Sequence, residues 1–334
     1  MTGPASRGSA DPVLEIRDLS VTYPAKGRRS LAMSAVSHVT LRLARGEVLG
    51  LVGESGCGKS SLARALVGLE PAAGEIVLDG QPLPPHRTRE QARRVQIVFQ
   101  DPYASLNPRM TVRHTVEEML RVHQLRPTAQ IPDRASELLD LVGLSPRVLD
   151  ARPAALSGGQ RQRVAIARAL ALEPDVIVAD EPTTSLDVSV QAVLLELFAR
   201  LRDDLGLALL LITHNLAVVS AMCDRIAVMY LGRIIEQAPA RALLADPRHP
   251  YTRRLLAAVP QMRPGSAVRP AALPGDPSGP ALVSSGCIFR TRCPEATAHC
   301  LAAAPLLTAA PAGLSGSPAA AHLAACHYAW PRLC

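Results

Sequence analysis

Nine residues, GESGCGKSS (Gly53–Ser61), limit what this chain can fold into more than any other stretch. They fit G-x-x-x-x-G-K-[ST], follow the apolar run of GEVLGLV and lead into SSLARALVGL. A glycine-rich turn between a buried strand and a helix is the context in which this pattern becomes a phosphate cradle. Gly53, Gly56 and Gly58, with Ser55 between them, let backbone N–H groups wrap phosphate oxygens, and the helix that opens there adds its positive end. Lys59 reaches the β- and γ-phosphates, Ser60 is the Mg²⁺ ligand, and Ser61 completes the binding residues.

The rest of the chain is organised around that turn. VLEIRDLSVTYP alternates apolar and polar residues like a half-buried strand, and HVTLRLARGEVLGLVG reads as two strands joined at Arg45-Gly46. GEIVLDGQPL is a strand and turn, and RVQIVFQ a buried strand. Residues 111–145 have helical periodicity, with Val116, Met119 and Leu120 on one face, then Leu138, Leu139 and Val142. DVIVAD, ALLLIT and RIAVMY are short β-rich runs separated by helical stretches, which argues for a parallel α/β sheet with helices on both faces. No apolar run approaches the ~20 residues needed to cross a bilayer, and MTGPASRGSADP lacks a signal-peptide core. A cytosolic chain with reduced thiols is expected, so a disulfide framework is a poor account of seven cysteines. The formal charge of +7 suits an anionic membrane face as well as nucleic acid, and 3% aromatics leave few stacking platforms.

Two further stretches complete a phosphate-transfer site. DVIVADEP ends a strand with Asp180, placed to hold Mg²⁺ directly or through water, and Glu181, placed to polarise an attacking water. LSGGQRQRVAIARAL carries a second anion cradle, in which Ser157 is an N-cap and Gly158-Gly159 leave helix N–H groups bare. One nucleotide does not need two cradles from one chain. Two chains facing head to tail bring the second cradle of each to the γ-phosphate held by the other.

These residues together resemble the nucleotide-binding domain of ABC transporters, over roughly residues 12–260. The resemblance implies an ABC-type P-loop NTPase fold with a mixed sheet and a helical subdomain at about 101–170. It implies that Ser157, Gly158, Gly159, Gln160 and Asp187 act on ATP bound to the opposite subunit. Gln100 matches the Q-loop that senses Mg²⁺ and faces the membrane subunits, so Ser60, Gln100 and Asp180 form the implied Mg²⁺ set. His214 matches the switch histidine on the γ-phosphate, against the alternative of a satisfied core histidine. Tyr23 is placed like the residue that stacks on adenine, and a strand-end packing role stands beside that. Cys57, inside the loop, is either a thiol activated by the helix end and Lys59 or a small residue that fits. Cys223 reads as core, and Cys334 as a loose terminal thiol.

Two segments, QDPYASLNPRMTV and DPRHPYTRRLLAAVP, are similar to the branch that imports dipeptides, oligopeptides or, in some relatives, nickel. That branch implies a second, related ATPase subunit as heterodimer partner, two transmembrane permease subunits, an extracytoplasmic solute-binding protein, no nucleic acid, and a peripheral place on the cytoplasmic membrane face. The reading divides the chain into a disordered 1–11, the ATP-binding domain at 12–260, a Pro/Gly/Ser-rich linker at 261–285 and a C-terminal extension at 286–334. The extension carries Cys287, Cys293, Cys300 and Cys326. Clustered thiols in a reducing compartment argue for a metal site. The resemblance to the branch's C-terminal extension implies a [4Fe-4S] cluster, which spacing without C-x₂₋₄-C knuckles favours over the Zn²⁺ site that His299, His322 and His327 keep open. Merely buried thiols are the alternative. An ATP-hydrolysing importer subunit is the leading expectation, against a soluble ABC-type ATPase acting on DNA or ribosomes and a regulator that binds ATP without hydrolysis. The chain has neither the second cassette nor the long insertion usual in the soluble class, and intact Glu181 and His214 oppose the regulator.

Overall fold

A computed structural model describes residues 12–24, 32–184, 186–258, 285–309 and 322–330. The expected disordered N-terminus, nearly all of the linker and Cys334 lie outside the described residues.

Two sheets form the frame. The alternating stretch at the start is β1 (Pro12–Tyr23), which pairs antiparallel with β2 (Met33–Ala44) and β4 (Ala73–Leu78). The short β5 (Gln81–Pro82) completes a four-stranded sheet of order β2-β1-β4-β5. The second sheet is built on β3 (Val48–Val52), β6 (Val95–Val98), β7 (Val176–Asp180), β8 (Ala208–Ile212) and β9 (Arg225–Tyr230), all parallel neighbours. β10 (Arg233–Pro239) then adds antiparallel to β9, giving the mixed sheet that the family resemblance implies.

The central strands are apolar throughout because both faces are covered. Leu49, Leu51, Val178, Leu210 and Met229 point to one side, and Val48, Ile177, Leu209, Leu211 and Val228 to the other. The first side is closed by α1 (Lys59–Leu66) and the apolar face of the antiparallel sheet, including Leu14, Ile16 and Val39. Helices therefore lie on both faces, as the strand–helix alternation suggests, and on the first side a second, antiparallel sheet shares the cover with α1. The alternation identifies parallel strands but does not say what covers them.

The other side is helical, with α6 (Gly158–Leu170), α7 (Val188–Leu205) and α8 (Leu216–Met222). α2 (Arg89–Arg94) leads into β6. Beyond β6 come α3 (Pro102–Ser105), α4 (Val112–Val122) and α5 (Ile131–Leu141), which pack on α6 as the helical subdomain. Val116, Leu120, Leu138, Leu139 and Val142 are buried there, and Met119 is half-buried, as their periodicity predicts.

The C-terminal extension joins the same core. After α9 (Ala240–Ala245) and α10 (Pro250–Ala257), the segment around α11 (Ala298–Ala302) packs Phe289, Cys287 and Cys300 into the helical-side cluster. β11 (Thr308–Ala309) pairs with β12 (Leu323–Ala324), and β12 pairs with β10. The extension thus continues the large sheet, whose order is β11-β12-β10-β9-β3-β8-β7-β6.

Candidate active site

The phosphate loop hangs between the carboxyl end of β3 and the start of α1. Its glycines answer to close approaches. A Cβ on Gly53 would run into the carbonyl oxygen of Met229, and one on Gly58 into that of Ala35; Gly58 also sits at φ 108°. The loop is therefore seated on the backbones of β9 and β2, which any other side chain would lift. Gly56 has a positive φ with open space around it, so conformation alone selects glycine there. Lys59 is 5% exposed and folds back on its own loop, its Nζ donating to the carbonyls of Gly53 at 2.8 Å and Glu54 at 2.9 Å. Ser55 and Ser60 are exposed. The Tyr23 hydroxyl donates to Ser61 Oγ at 3.1 Å, which puts this ring at the edge of the loop.

Asp180 closes β7 two strands away from β3 in the sheet, and the parallel register brings both strand ends to the same rim. Ser60 Oγ donates to Asp180 Oδ1 at 3.2 Å. Burial pushes the Asp180 carboxyl up, against the Ser60 hydrogen bond and the charge of Lys59. A hydroxyl and a desolvated carboxylate side by side beneath a phosphate loop are hard oxygen donors that fit Mg²⁺.

Glu181 follows at φ 47°, the left-handed region in which a non-glycine residue costs on the order of 1–3 kcal/mol. Its N–H donates to the Ile212 carbonyl at 2.9 Å, which holds that turn. Its Oε2 collects three groups from three segments: Gln100 Nε2 at 3.2 Å, Thr184 Oγ1 at 2.9 Å and His214 Nδ1 at 3.4 Å. Gln100 thus faces Glu181 here, rather than Ser60 and Asp180 as in the implied Mg²⁺ set. His214 is exposed at the end of β8, so the core-histidine alternative falls away. Thr184 was not singled out from the sequence, although a hydroxyl three residues after a carboxylate in a tight turn was a readable signal.

Ser157 is the N-cap of α6, as its sequence position predicts. Ser157 Oγ accepts from the Gln160 N–H at 3.2 Å while Gln160 Oε1 accepts from the Ser157 N–H at 2.9 Å, a capping box on α6. Gly158 and Gly159 lie against Leu186 and Val190, and a Cβ on Gly159 would come within 2.5 Å of Val190 Cγ1. Asp187 is the N-cap residue of α7 beside them. These groups make a surface of their own, set on α6 and α7.

Cys57 is not an activated thiol. It is 4% exposed, and burial pushes its pKa up despite Lys59 Nζ at 3.7 Å from its sulfur. The pull of Lys59 is real but smaller than the desolvation. Cys223 is core, pushed up to about 12 by burial. In the extension, Cys287, Cys293, Cys300 and Cys326 all line one small cavity. Among the described residues, however, no group of three or more His, Cys, Asp or Glu is placed to hold a metal ion. Of the histidines that keep a mixed zinc site open, His322 Nε2 is 2.6 Å from Glu236 Oε1, while His327 lines the same cavity with its Nε2 2.9 Å from the Ala303 carbonyl. His299 stacks on His327 with ring centroids 4.1 Å apart.

Comparison with known proteins agrees with this geometry. Residues 36–184 match the family model described as ABC transporter, and residues 235–300 the model described as oligopeptide/dipeptide transporter, C-terminal region. A Brucella ovis protein named as a peptide import ATP-binding protein is 46% identical over 300 residues, covering 89% of this chain and 94% of its own. DdpF of Escherichia coli, named for D,D-dipeptide transport, is 44% identical over 87% of this chain and 93% of its own. Among solved structures, cbiO1 of Clostridium perfringens matches with a TM-score of 0.61 at 29% identity, covering 71% of this chain and 92% of its own. The ATP-binding cassette MJ0796, seen as a dimer bound to ADP and Pi, matches with the same TM-score and identity over 68% of this chain and 99% of its own. The chain belongs to the ABC transporter ATP-binding proteins, in the group that carries the oligopeptide/dipeptide transporter C-terminal region.

Proposed function

We propose that this chain is the ATP-hydrolysing subunit of an importer, coupling ATP turnover at a dimer interface to uptake of dipeptides or oligopeptides through separate membrane subunits. The observation that carries the chemistry is the convergence of Gln100, Thr184 and His214 on one carboxylate, Glu181, next to the Ser60–Asp180 pair. In this reading the Gly53–Ser61 loop and Tyr23 bind ATP, and Lys59 leaves its loop carbonyls for the phosphates. Ser60 and Asp180 hold Mg²⁺, which supplies charge neutralisation on the β- and γ-phosphates. Glu181 orients a water in line with the γ-phosphorus and takes its proton as the O–P bond forms and the bond to the leaving diphosphate breaks. His214 and Gln100 hold that carboxylate in place. Ser157, Gly158, Gly159, Gln160 and Asp187 serve the site of the facing subunit, which the capped, glycine-exposed start of α6 suits.

The partners in this reading are a second ATPase subunit, two permeases and an extracytoplasmic solute-binding protein, with this chain peripheral on the cytoplasmic face. The peptide substrate rests on the names of relatives and on the matched C-terminal region. Nickel or another small solute is the alternative within the same group. The test is uptake of labelled dipeptides and oligopeptides by cells carrying the chain with its own permeases. Uptake that disappears with Lys59→Ala supports the reading; wild-type cells that take up nickel but no peptide overturn the substrate.

A second reading, favoured by the shared cavity of four thiols, makes Cys287, Cys293, Cys300 and Cys326 a [4Fe-4S] or Zn²⁺ site. No step above runs through it. Iron, sulfide and zinc content of protein purified without oxygen tests it. Stoichiometric metal supports the site, and metal-free protein with four alkylatable thiols makes it a packing cavity.

A further inference from the structure

The phosphate-loop pattern leaves the position after its first glycine open, and here it is Glu54, a carboxylate in a loop built to receive polyphosphate. Alone, that charge opposes the ligand. The structure shows what answers it. Arg292, from the C-terminal extension and 238 residues away, forks onto Glu54 with Nη1–Oε2 at 2.7 Å and Nη2–Oε1 at 2.9 Å. The guanidinium is largely buried, its side chain 5% exposed against 23% for Glu54, and it lies 5.8 Å from the ring centroid of Tyr230. The Arg292 backbone N–H donates to the Phe289 carbonyl at 3.0 Å, and Phe289 packs edge-on against Tyr230 and Tyr251. From α10, the Tyr251 hydroxyl accepts from the Glu54 N–H at 2.9 Å. The same residue therefore has its backbone and its side chain held by two segments outside the nucleotide fold proper, while Lys59 holds its carbonyl.

We propose that Arg292 is a positioning residue of the ATP site: by pairing with Glu54 it cancels the one negative charge of the phosphate loop and fixes the loop's conformation, making ATP affinity depend on the docked C-terminal extension. This rests on the Gly53–Ser61 loop being the ATP site. A bidentate, partly buried fork resists solvent better than a surface pair. Removing only the arginine leaves a carboxylate uncompensated in the loop. Its repulsion of a polyanion is partly screened by salt.

The test titrates Mg·ATP onto the purified full-length chain for Kd, and measures KM and kcat on the chain assembled with its partner ATPase subunit and permeases, at low and high salt, for the parent, Lys59→Ala, Arg292→Ala, Arg292→Lys, and Arg292→Ala combined with Glu54→Gln. Arg292→Ala raises Kd and KM about tenfold at low salt and less at high salt, with kcat within about twofold. Arg292→Lys recovers part of the affinity, and adding Glu54→Gln to Arg292→Ala recovers most of it, which a general loss of packing would not allow. Arg292→Gln, which keeps the side-chain length, carries the same expectation where Arg292→Ala does not fold. An affinity within about twofold of the parent at low salt, or a double variant no better than Arg292→Ala, overturns the proposal. A parent that binds no Mg·ATP, or binds it equally well with Lys59→Ala, defeats the ATP-site reading instead.

Discussion

At the scale of single residues, the site is held by groups that are costly where they stand. Glu181 occupies a left-handed turn, Asp180 is a desolvated carboxylate, and Lys59 is a buried cation satisfied by two carbonyls. A fold retains such features where something else over-determines them, and here the strand ends of β3, β7 and β8 do so. The motif residues were legible in the sequence because phosphate chemistry restricts residue type and spacing together. Cys57 shows the limit: its position beside Lys59 and a helix start was readable, but whether desolvation or attraction wins depends on packing from β2 and β9 that no local pattern reports. Burial wins, so Cys57 should react with iodoacetamide far more slowly than the half-buried Cys293 in native protein. Timed alkylation followed by peptide mass spectrometry checks this, and fast labelling of Cys57 would contradict the burial.

At the scale of elements, strands and helices with strong periodicity or unbroken apolar runs were readable, including both halves of the 111–145 region. What covers the sheet was not. β1 and β2 carry the same alternation whether they join the main sheet or stack on it, and only the burial of both faces of β3, β7 and β8 decides. β10 was missed because RIIEQAP puts a glutamate in its middle. That glutamate, Glu236, is fully buried and accepts from the N–H groups of Arg248 at 2.6 Å and His249 at 3.0 Å, fastening the entry of α10 to the sheet. His249 then caps α10, its Nδ1 accepting from the Tyr251 N–H at 3.0 Å. Burial lowers its pKa from 6.5 to about 4, and Arg253 adds to this while Glu236 opposes it. The unfolded chain therefore takes up this proton first. Stability is complete above about pH 6.5 and falls as pH drops towards 4, by up to roughly 3 kcal/mol from this group. Urea unfolding across that range, compared with His249→Asn, should show the variant losing less stability on acidification. Equal slopes would remove His249 from the account.

At the scale of the whole molecule, the two glycine-rich helix starts lie on different parts of one chain, and in the proposed reading the second serves the site of a partner. The sequence carried that logic, since one nucleotide needs one cradle. The seat of the C-terminal extension was not legible, because Arg292 and Glu54 are 238 residues apart and neither belongs to a local pattern. Nor did the cysteine spacing reveal that the four thiols line one cavity. The central claim remains that Glu181 activates the water that cleaves ATP bound at Gly53–Ser61. The most direct measurement is Mg·ATP binding and single-turnover hydrolysis by this chain assembled with its partner ATPase subunit, wild type against Glu181→Gln. The account predicts that the variant binds ATP at least as tightly and sediments as an ATP-stabilised dimer. It also predicts that cleavage falls by roughly two orders of magnitude or more, on the scale of losing an essential base. Near-normal cleavage by Glu181→Gln, with ATP bound, would contradict it.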